Sequence, residues 1–295
     1  MAASLPDLLL PWFDEHARDL PWRRPETTPW GVLVSEFMLQ QTPVNRVAPI
    51  WTDWLTRWPT PATLAAAPQA EVLRAWGKLG YPRRALRLHA AATTIAAEHG
   101  DRVPDHLDEL LALPGVGAYT ARAVLAFGYH RRAPVVDTNV RRVIARVVHG
   151  AGGVGPARTA ADLTDAELLL PDTDAARFSA ALMELGAVLC IAGTAPRCTA
   201  CPVLDECAWH AAGRPEYTGP TRPVQRYAGT DRQVRGRLLD VLRDAPGPVH
   251  RAELDLVWSD AVQRDRCLLS LLDDGLVEQL DEVRFALPGE CTPAD

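Results

Sequence analysis

The sequence predicts an all-α body followed by a small α+β unit of winged-helix type, and three observations predict it. From residue 6 to about 207, apolar residues recur at intervals of three and four. Ala and Leu are abundant there, Pro or Gly punctuates the gaps, and no run alternates as a strand would. Residues 211–229 are then rich in Gly, Pro and Thr and read as a linker. Beyond them come three amphipathic segments and the run GLVEQLDEVRFALP, the order of a winged helix.

Within the body, helices are expected at 29–41, 44–58, 63–67, 69–76, 83–99, 107–112, 118–127, 138–149, 162–169 and 174–189. In the tail they are expected at 231–245, 251–258 and 261–272, with a hairpin turning at Asp281 and Glu282. No internal repeat of 20–50 residues is visible.

A chain of 295 residues with 47% hydrophobic and 23% charged residues has the composition of an ordinary globular protein of two or three packed units. The opening residues lack a basic leading segment, their apolar run is broken by Pro11, and no stretch of 18 apolar residues occurs, so a cytoplasmic protein without membrane attachment is expected. The net charge of −6 argues against a nucleic-acid binder, because phosphates are held by Lys and Arg. That acidity is concentrated in residues 224–295, which hold nine basic and fourteen acidic side chains, whereas the first 223 are nearly neutral. Basic residues cluster in the front part as Arg23/Arg24, Arg83/Arg84/Arg87, Arg131/Arg132 and Arg141/Arg142/Arg146, which leaves room for a local positive face or for ordinary solvated helix faces. The sole lysine is Lys78.

Four of the six cysteines, Cys190, Cys198, Cys201 and Cys207, fall within 18 residues at spacing C-x7-C-x2-C-x5-C. In a reducing compartment such crowding points to metal rather than disulfides. Structural zinc sites ordinarily use two tight pairs. One CxxC flanked by wider gaps suits a loop folded around a [4Fe–4S] cluster, which is favoured over zinc. Cys267 reads as a core residue and Cys291 as a tail thiol.

The run LPGVGAYTA places Gly115, Val116 and Gly117 between two helical segments. Glycines two apart permit a tight turn that exposes backbone N–H groups at the start of the next helix, where an anion such as a DNA phosphate is favoured. A plain helix connector has the same pattern. Two carboxylates stand out as a catalytic pair. Glu36 lies in WGVLVSEFMLQQT, whose other residues are nearly all apolar, and is either desolvated, as a general acid requires, or on a polar edge. Asp137 precedes Thr138, Asn139 and Val140, so it is either a helix N-cap or an anion able to stabilise a cationic sugar.

The cysteine loop after MELGAVLC, the LPGVGAYTA hairpin, VSEFMLQQT and VVDTNVRRV together resemble the endonuclease III and adenine glycosylase (MutY-like) family of helix-hairpin-helix DNA glycosylases over about residues 12–215. The first cysteine spacing is one residue longer than the family's, which lengthens the loop at 191–197. The resemblance implies a two-lobed helix-hairpin-helix glycosylase fold with an iron–sulfur cluster loop over residues 1–210: a six-helix lobe at about 24–130 and a cluster lobe from 1–23 and 131–210. The linker at 211–229 and a winged-helix-like unit at 230–290 follow.

It further implies that Glu36 protonates the departing adenine. Asp137, with Asn139 in the same motif, stabilises the cationic sugar electrostatically or as a transient covalent partner. Gln41 enters the base stack, Trp22 and Arg23 of LPWR lie near the adenine pocket, and Tyr81 of LGYP intercalates. Bifunctional relatives carry a lysine where this chain has Tyr119. A monofunctional reaction with water as nucleophile is therefore implied, after the base has been flipped out of the duplex. The implied partner is double-stranded DNA bearing adenine opposite guanine or 8-oxoguanine, near the nucleoid, and a monomer is expected. The tail does not match the Nudix-like domain that inspects 8-oxoguanine in many relatives, and either stands in for it or binds a repair or replication protein. Two rivals stay open: a thymine or uracil mismatch glycosylase of the same superfamily, and an iron–sulfur DNA-binding regulator without catalysis.

Overall fold

The computed structural model describes residues 4–192, 196–219 and 227–290. Cys291, part of the linker and the middle of the first inter-cysteine loop lie outside the described residues. In chain order the helices are α1 (Leu5–His16), α2 (Pro29–Leu39), α3 (Val44–Arg57), α4 (Pro61–Ala65), α5 (Gln69–Trp76), α6 (Arg83–Glu98), α7 (Leu107–Ala112), α8 (Ala118–Ala123), α9 (Thr138–Val147), α10 (Thr159–Leu169), α11 (Ala175–Val188) and α12 (Ala208–Ala211). The tail adds α13 (Asp231–Asp244), β1 (Val249–His250), α14 (Arg251–Asp255), α15 (Ala261–Asp273), β2 (Glu278–Gln279) and β3 (Arg284–Ala286). The expected all-helical body and α+β tail are therefore present. Among the elements that differ from expectation are α1, α12, β1 and a π-turn at Val124–Gly128 that replaces the end of the helix expected at 118–127.

Helix α1 forms despite Pro11. A capping box between Ser4 and Asp7 satisfies its first N–H groups, and Pro6 occupies the first turn, where a missing N–H costs nothing. Pro11 is exposed, so water can serve the carbonyl that its ring deprives of a partner.

By packing, the chain divides into two compact units, one of residues 1–33, 105–111 and 116–222, the other of 34–104, 112–115 and 223–295. In the first, α1, α9 and α11 enclose a core of Leu9, Val140, Ile144, Phe178, Leu182 and Leu185, against which the cysteine loop packs through Val203 and Cys207. Gly186 permits the close crossing of α9 and α11, since a Cβ there would stand 2.7 Å from Cβ of Asn139. In the second, Trp54 meets Trp58 and Trp76 edge-to-face at 4.8 and 5.5 Å, and α4 packs on α6.

The tail belongs to this second unit. Its β1 and β2 both pair antiparallel with β3, in the order β1-β3-β2, and β1 was too short to be read from alternation. Cys267 is buried there as expected. Arg74 of α5 fastens the tail, donating to the carbonyls of Arg243 at 3.3 Å and Ala245 at 3.0 Å and pairing with Glu290. Among the described residues, no helix is long and apolar enough to cross a membrane.

Candidate active site

Glu36 lies on α2, where residues 30–38 are all buried, and its own exposure is 5%. A helix buried all round has no polar edge, so the solvent-facing alternative for this carboxylate is removed. The C-terminal end of α2 is capped by a side chain from elsewhere. Buried Arg84 of α6 donates through Nη1 to the carbonyls of Phe37 (2.8 Å), Met38 (3.1 Å) and Gln40 (2.5 Å), and through Nη2 to Thr42 Oγ1 and Gly80 O, both at 3.0 Å. Its guanidinium also stacks on Trp76 and Tyr81, at 5.2 and 5.4 Å from their ring centres. Burial pushes the group down to about 10, so it stays charged at neutral pH.

One buried cation thereby ties together the two turns that carry Gln41 and Tyr81. Both residues are exposed and both adopt left-handed backbone, with φ of +55° and +48°, a conformation that costs energy for residues other than glycine. Replacing Arg84 by Met should destabilise the fold by about 2–4 kcal/mol, the cost of orphaning several buried carbonyls, as thermal or urea unfolding will measure.

Asp137 is the N-cap of α9. Its Oδ1 accepts from Val140 N at 2.7 Å and its Oδ2 from Asn139 Nδ2 at 2.8 Å. Asn139 in turn accepts from Arg142 at 2.7 Å, and Arg142 donates to the carbonyls of Gly186 and Cys190, both at 2.6 Å. Burial raises the Asp137 carboxyl above its ordinary value, against the pull of these hydrogen bonds and of Arg142. Cap and oriented anion are thus the same group.

Trp22 is buried in a short turn at Pro21–Arg23. The structure places Arg23 on Glu184, at 2.9 Å, and over the ring of Phe13. Glu184 is fully buried and also accepts from Arg18 Nε at 2.6 Å and Nη2 at 2.9 Å; burial alone would raise it, but the two arginines hold it below its ordinary value. At the hairpin, Gly115 has φ of +77° and a Cβ there would stand 2.8 Å from Cβ of Arg87, so only glycine fits. Gly117 caps α8 with ordinary backbone and open space around it, and Val116 is buried. Tyr119 is half-buried on α8, and Lys78 is exposed, 4.0 Å from Asp240.

Several members of the arginine clusters are engaged inside the protein or in ion pairs. Arg84, Arg142 and Arg146 are buried and bonded to carbonyls, while Arg131, Arg132 and Arg141 pair with Asp105, Glu167 and Asp162.

Cys190, Cys198, Cys201 and Cys207 gather against the core of the first unit, near enough for each of the others to bear on Cys201, which burial pushes up to about 11. All four are free thiols. Arg146, stacked on Trp209 at 4.7 Å, donates to Cys190 Sγ at 3.3 Å. Four thiols packed on one core, one of them bonded by a buried arginine, fit a negatively charged iron–sulfur group. Among the described residues no three acidic, His or Cys side chains converge as around a single ion; a cubane spreads its four ligands more widely than one ion does.

A model of the HhH-GPD superfamily of base excision DNA repair proteins matches residues 34–164. The adenine DNA glycosylases of Mycolicibacterium smegmatis and Mycobacterium tuberculosis are 63% and 61% identical to the chain, covering 96% of it and 95% and 93% of themselves. The chain belongs to the adenine DNA glycosylase family. The human adenine DNA glycosylase is 40% identical over 68% of the chain and 38% of its own length. A thermostable thymine-DNA glycosylase structure superposes with a TM-score of 0.63 at 27% identity, covering 70% of the chain and 94% of that structure. An endonuclease III–DNA complex shares the fold, with a TM-score of 0.60 at 22% identity over the same shares. In this adenine DNA glycosylase family member, Arg84, Arg142, Gly186 and Glu184 support the site and were not singled out from sequence for these roles. Only Gly186, a glycine inside a strong helical pattern, carried a local signal.

Proposed function

We propose that the chain is a monofunctional adenine DNA glycosylase of base excision repair, acting on adenine opposite guanine or 8-oxoguanine in duplex DNA. The likeness to adenine DNA glycosylases at above 60% identity over nearly the whole chain carries this reading. Backbone N–H groups of the 115–117 turn hold a phosphate, and Tyr81 and Gln41 enter the stack as the adenine is flipped out.

Glu36 donates a proton to the purine, so that the base departs as a neutral leaving group when the bond from C1′ to the base nitrogen breaks and its electron pair goes to the base. The Asp137 carboxylate, aimed by Val140, Asn139 and Arg142, faces the positive charge that develops on the sugar. Water then adds to C1′ and gives up a proton, leaving an abasic site. Tyr119 offers no amine for a Schiff base, so the strand is not cut.

Cys190, Cys198, Cys201 and Cys207 would hold a [4Fe–4S] cluster, whose iron–thiolate bonds would cross-link these four positions to one another. Arg146, bonded to Cys190 Sγ, would face the cluster's charge, and Arg142 connects Cys190 to Asn139 and through it to Asp137.

The thymine-DNA glycosylase neighbour keeps thymine or uracil excision as a second reading. Duplexes carrying A·G, A·8-oxoguanine, G·T and G·U, assayed for free base with and without alkali, separate the two. Adenine release, with strand breaks only after alkali, is expected. Thymine or uracil release would replace the reading, and tight duplex binding without release of any base would favour a non-catalytic regulator.

A further inference from the structure

The C-terminal unit is acidic, and most of its arginines are spent internally: Arg235 on Asp274, Arg251 and Arg264 on Asp255 and Asp265, Arg266 on Asp231. Arg232, the second residue of α13, pairs with no carboxylate among the described residues. Its Nη1 donates instead to the hydroxyl of Tyr81 at 3.2 Å, and its guanidinium lies 5.4 Å from the ring centre of Tyr227. Tyr81 and Tyr227 are 43% and 52% exposed. An arginine between two exposed tyrosines is a surface suited to nucleic-acid bases, which stack on aromatic faces and accept hydrogen bonds at their edges.

The placement of this cluster is held from several sides. Residues 74–83, which carry the Tyr81 turn, are linked to the tail by Arg74 to Arg243, Ala245 and Glu290, and by Arg83 to Asp274 at 3.0 Å. Arg232 is therefore fixed relative to Tyr81. An arginine held on the hydroxyl of an exposed ring lies beside any base that stacks on that ring, within reach of the base's edge. A guanidinium has five N–H donors, and the bond to Tyr81 uses one. The remaining fork matches the O6 and N7 acceptors of guanine, whereas cytosine presents an amino donor at its edge and repels it.

We propose that Arg232 is a specificity-determining residue through which the C-terminal unit reads the guanine opposite the excised adenine. The proposal rests on the adenine-glycosylase reading and on Tyr81 as a DNA contact. The test is binding by fluorescence anisotropy and single-turnover adenine release on A·G and A·C duplexes, for the full chain and its Arg232→Ala, Arg232→Lys and Tyr81→Phe variants. Arg232→Ala should lose about tenfold in affinity and rate on A·G while staying within about twofold on A·C, the scale of one lost bidentate guanine contact. Arg232→Lys, which keeps the charge without the fork, should recover only part of the loss, and Tyr81→Phe should lose part of the preference.

Equal losses on the two duplexes, the mark of a phosphate contact or a merely structural role, would overturn the proposal, as would no loss on either. Failure of the unaltered chain to release adenine from any duplex would sink the underlying functional reading. The binding arm would still measure whether Arg232 distinguishes guanine from cytosine.

Discussion

Glu36→Gln will bind an A·G duplex as tightly as the unaltered chain and release adenine about 10²–10⁴-fold more slowly, the range that a positioned general acid contributes. The substitution keeps the shape of the side chain in a helix whose residues 30–38 are all buried, so neither cavity nor overpacking is introduced. What it removes is a proton acidic enough to reach the purine in the transition state. In the proposed mechanism binding rests on the hairpin turn, Gln41 and Tyr81, none of which the substitution touches. Single-turnover kinetics alongside an equilibrium binding curve separate the two effects. A rate equal to that of the unaltered chain would remove Glu36 from the mechanism, and a parallel loss of binding would make it a structural residue of α2.

The parts of this site legible in the sequence were those encoded by neighbours along the chain. An apolar run around Glu36 left it either desolvated or on a polar edge, an Asp ahead of Thr138 marked a helix start, and the crowding of four cysteines pointed to a metal group. What was not legible is held by partners distant in sequence. Arg84 reads as one member of a surface-like basic cluster, yet it caps α2 from 44–47 residues away. Arg23 is implied by the resemblance to lie near the adenine pocket, but the carboxylate that holds it, Glu184, lies on α11, distant in sequence. In both cases the cost of leaving a buried carbonyl or carboxylate unpaired decides where the arginine goes, and composition does not reveal which groups will be buried. Helix α1 carries its local signal in the Ser4–Asp7 capping box, and Pro11 is tolerated because it lies at an exposed helix position.

The same balance between local and long-range demands makes Asp137 the more informative second target. As N-cap of α9 it is worth about 1 kcal/mol of stability, and Asn caps a helix as well as Asp does. Asp137→Asn therefore preserves the bond from Val140 and the helix start, gives up only the bond from Asn139, and removes the negative charge, so adenine release should fall about 10²–10³-fold, the scale of losing one preorganised electrostatic group. The sign of the stability change is the decisive part. Burial raises the carboxyl above its ordinary value, so the folded state binds its proton more readily than the unfolded chain. Its stabilising contribution is complete below the unfolded pKa and is lost as pH rises through the folded one. At neutral pH the ionised carboxylate is thus held against a cost, which the Asn variant escapes. Its melting temperature at pH 7 should be no lower than that of the unaltered chain, whereas Asp137→Ala, which also loses the cap, should melt earlier. The raised carboxyl also sets the acid side of the activity profile: excision should fall on acidification at a higher pH than an ordinary aspartate would give. If Asp137→Asn loses stability and rate together, the carboxylate is chiefly a cap and the developing sugar cation must be met by another group. If the rate alone collapses, an anion kept at the end of α9 at the expense of stability is what the chemistry requires.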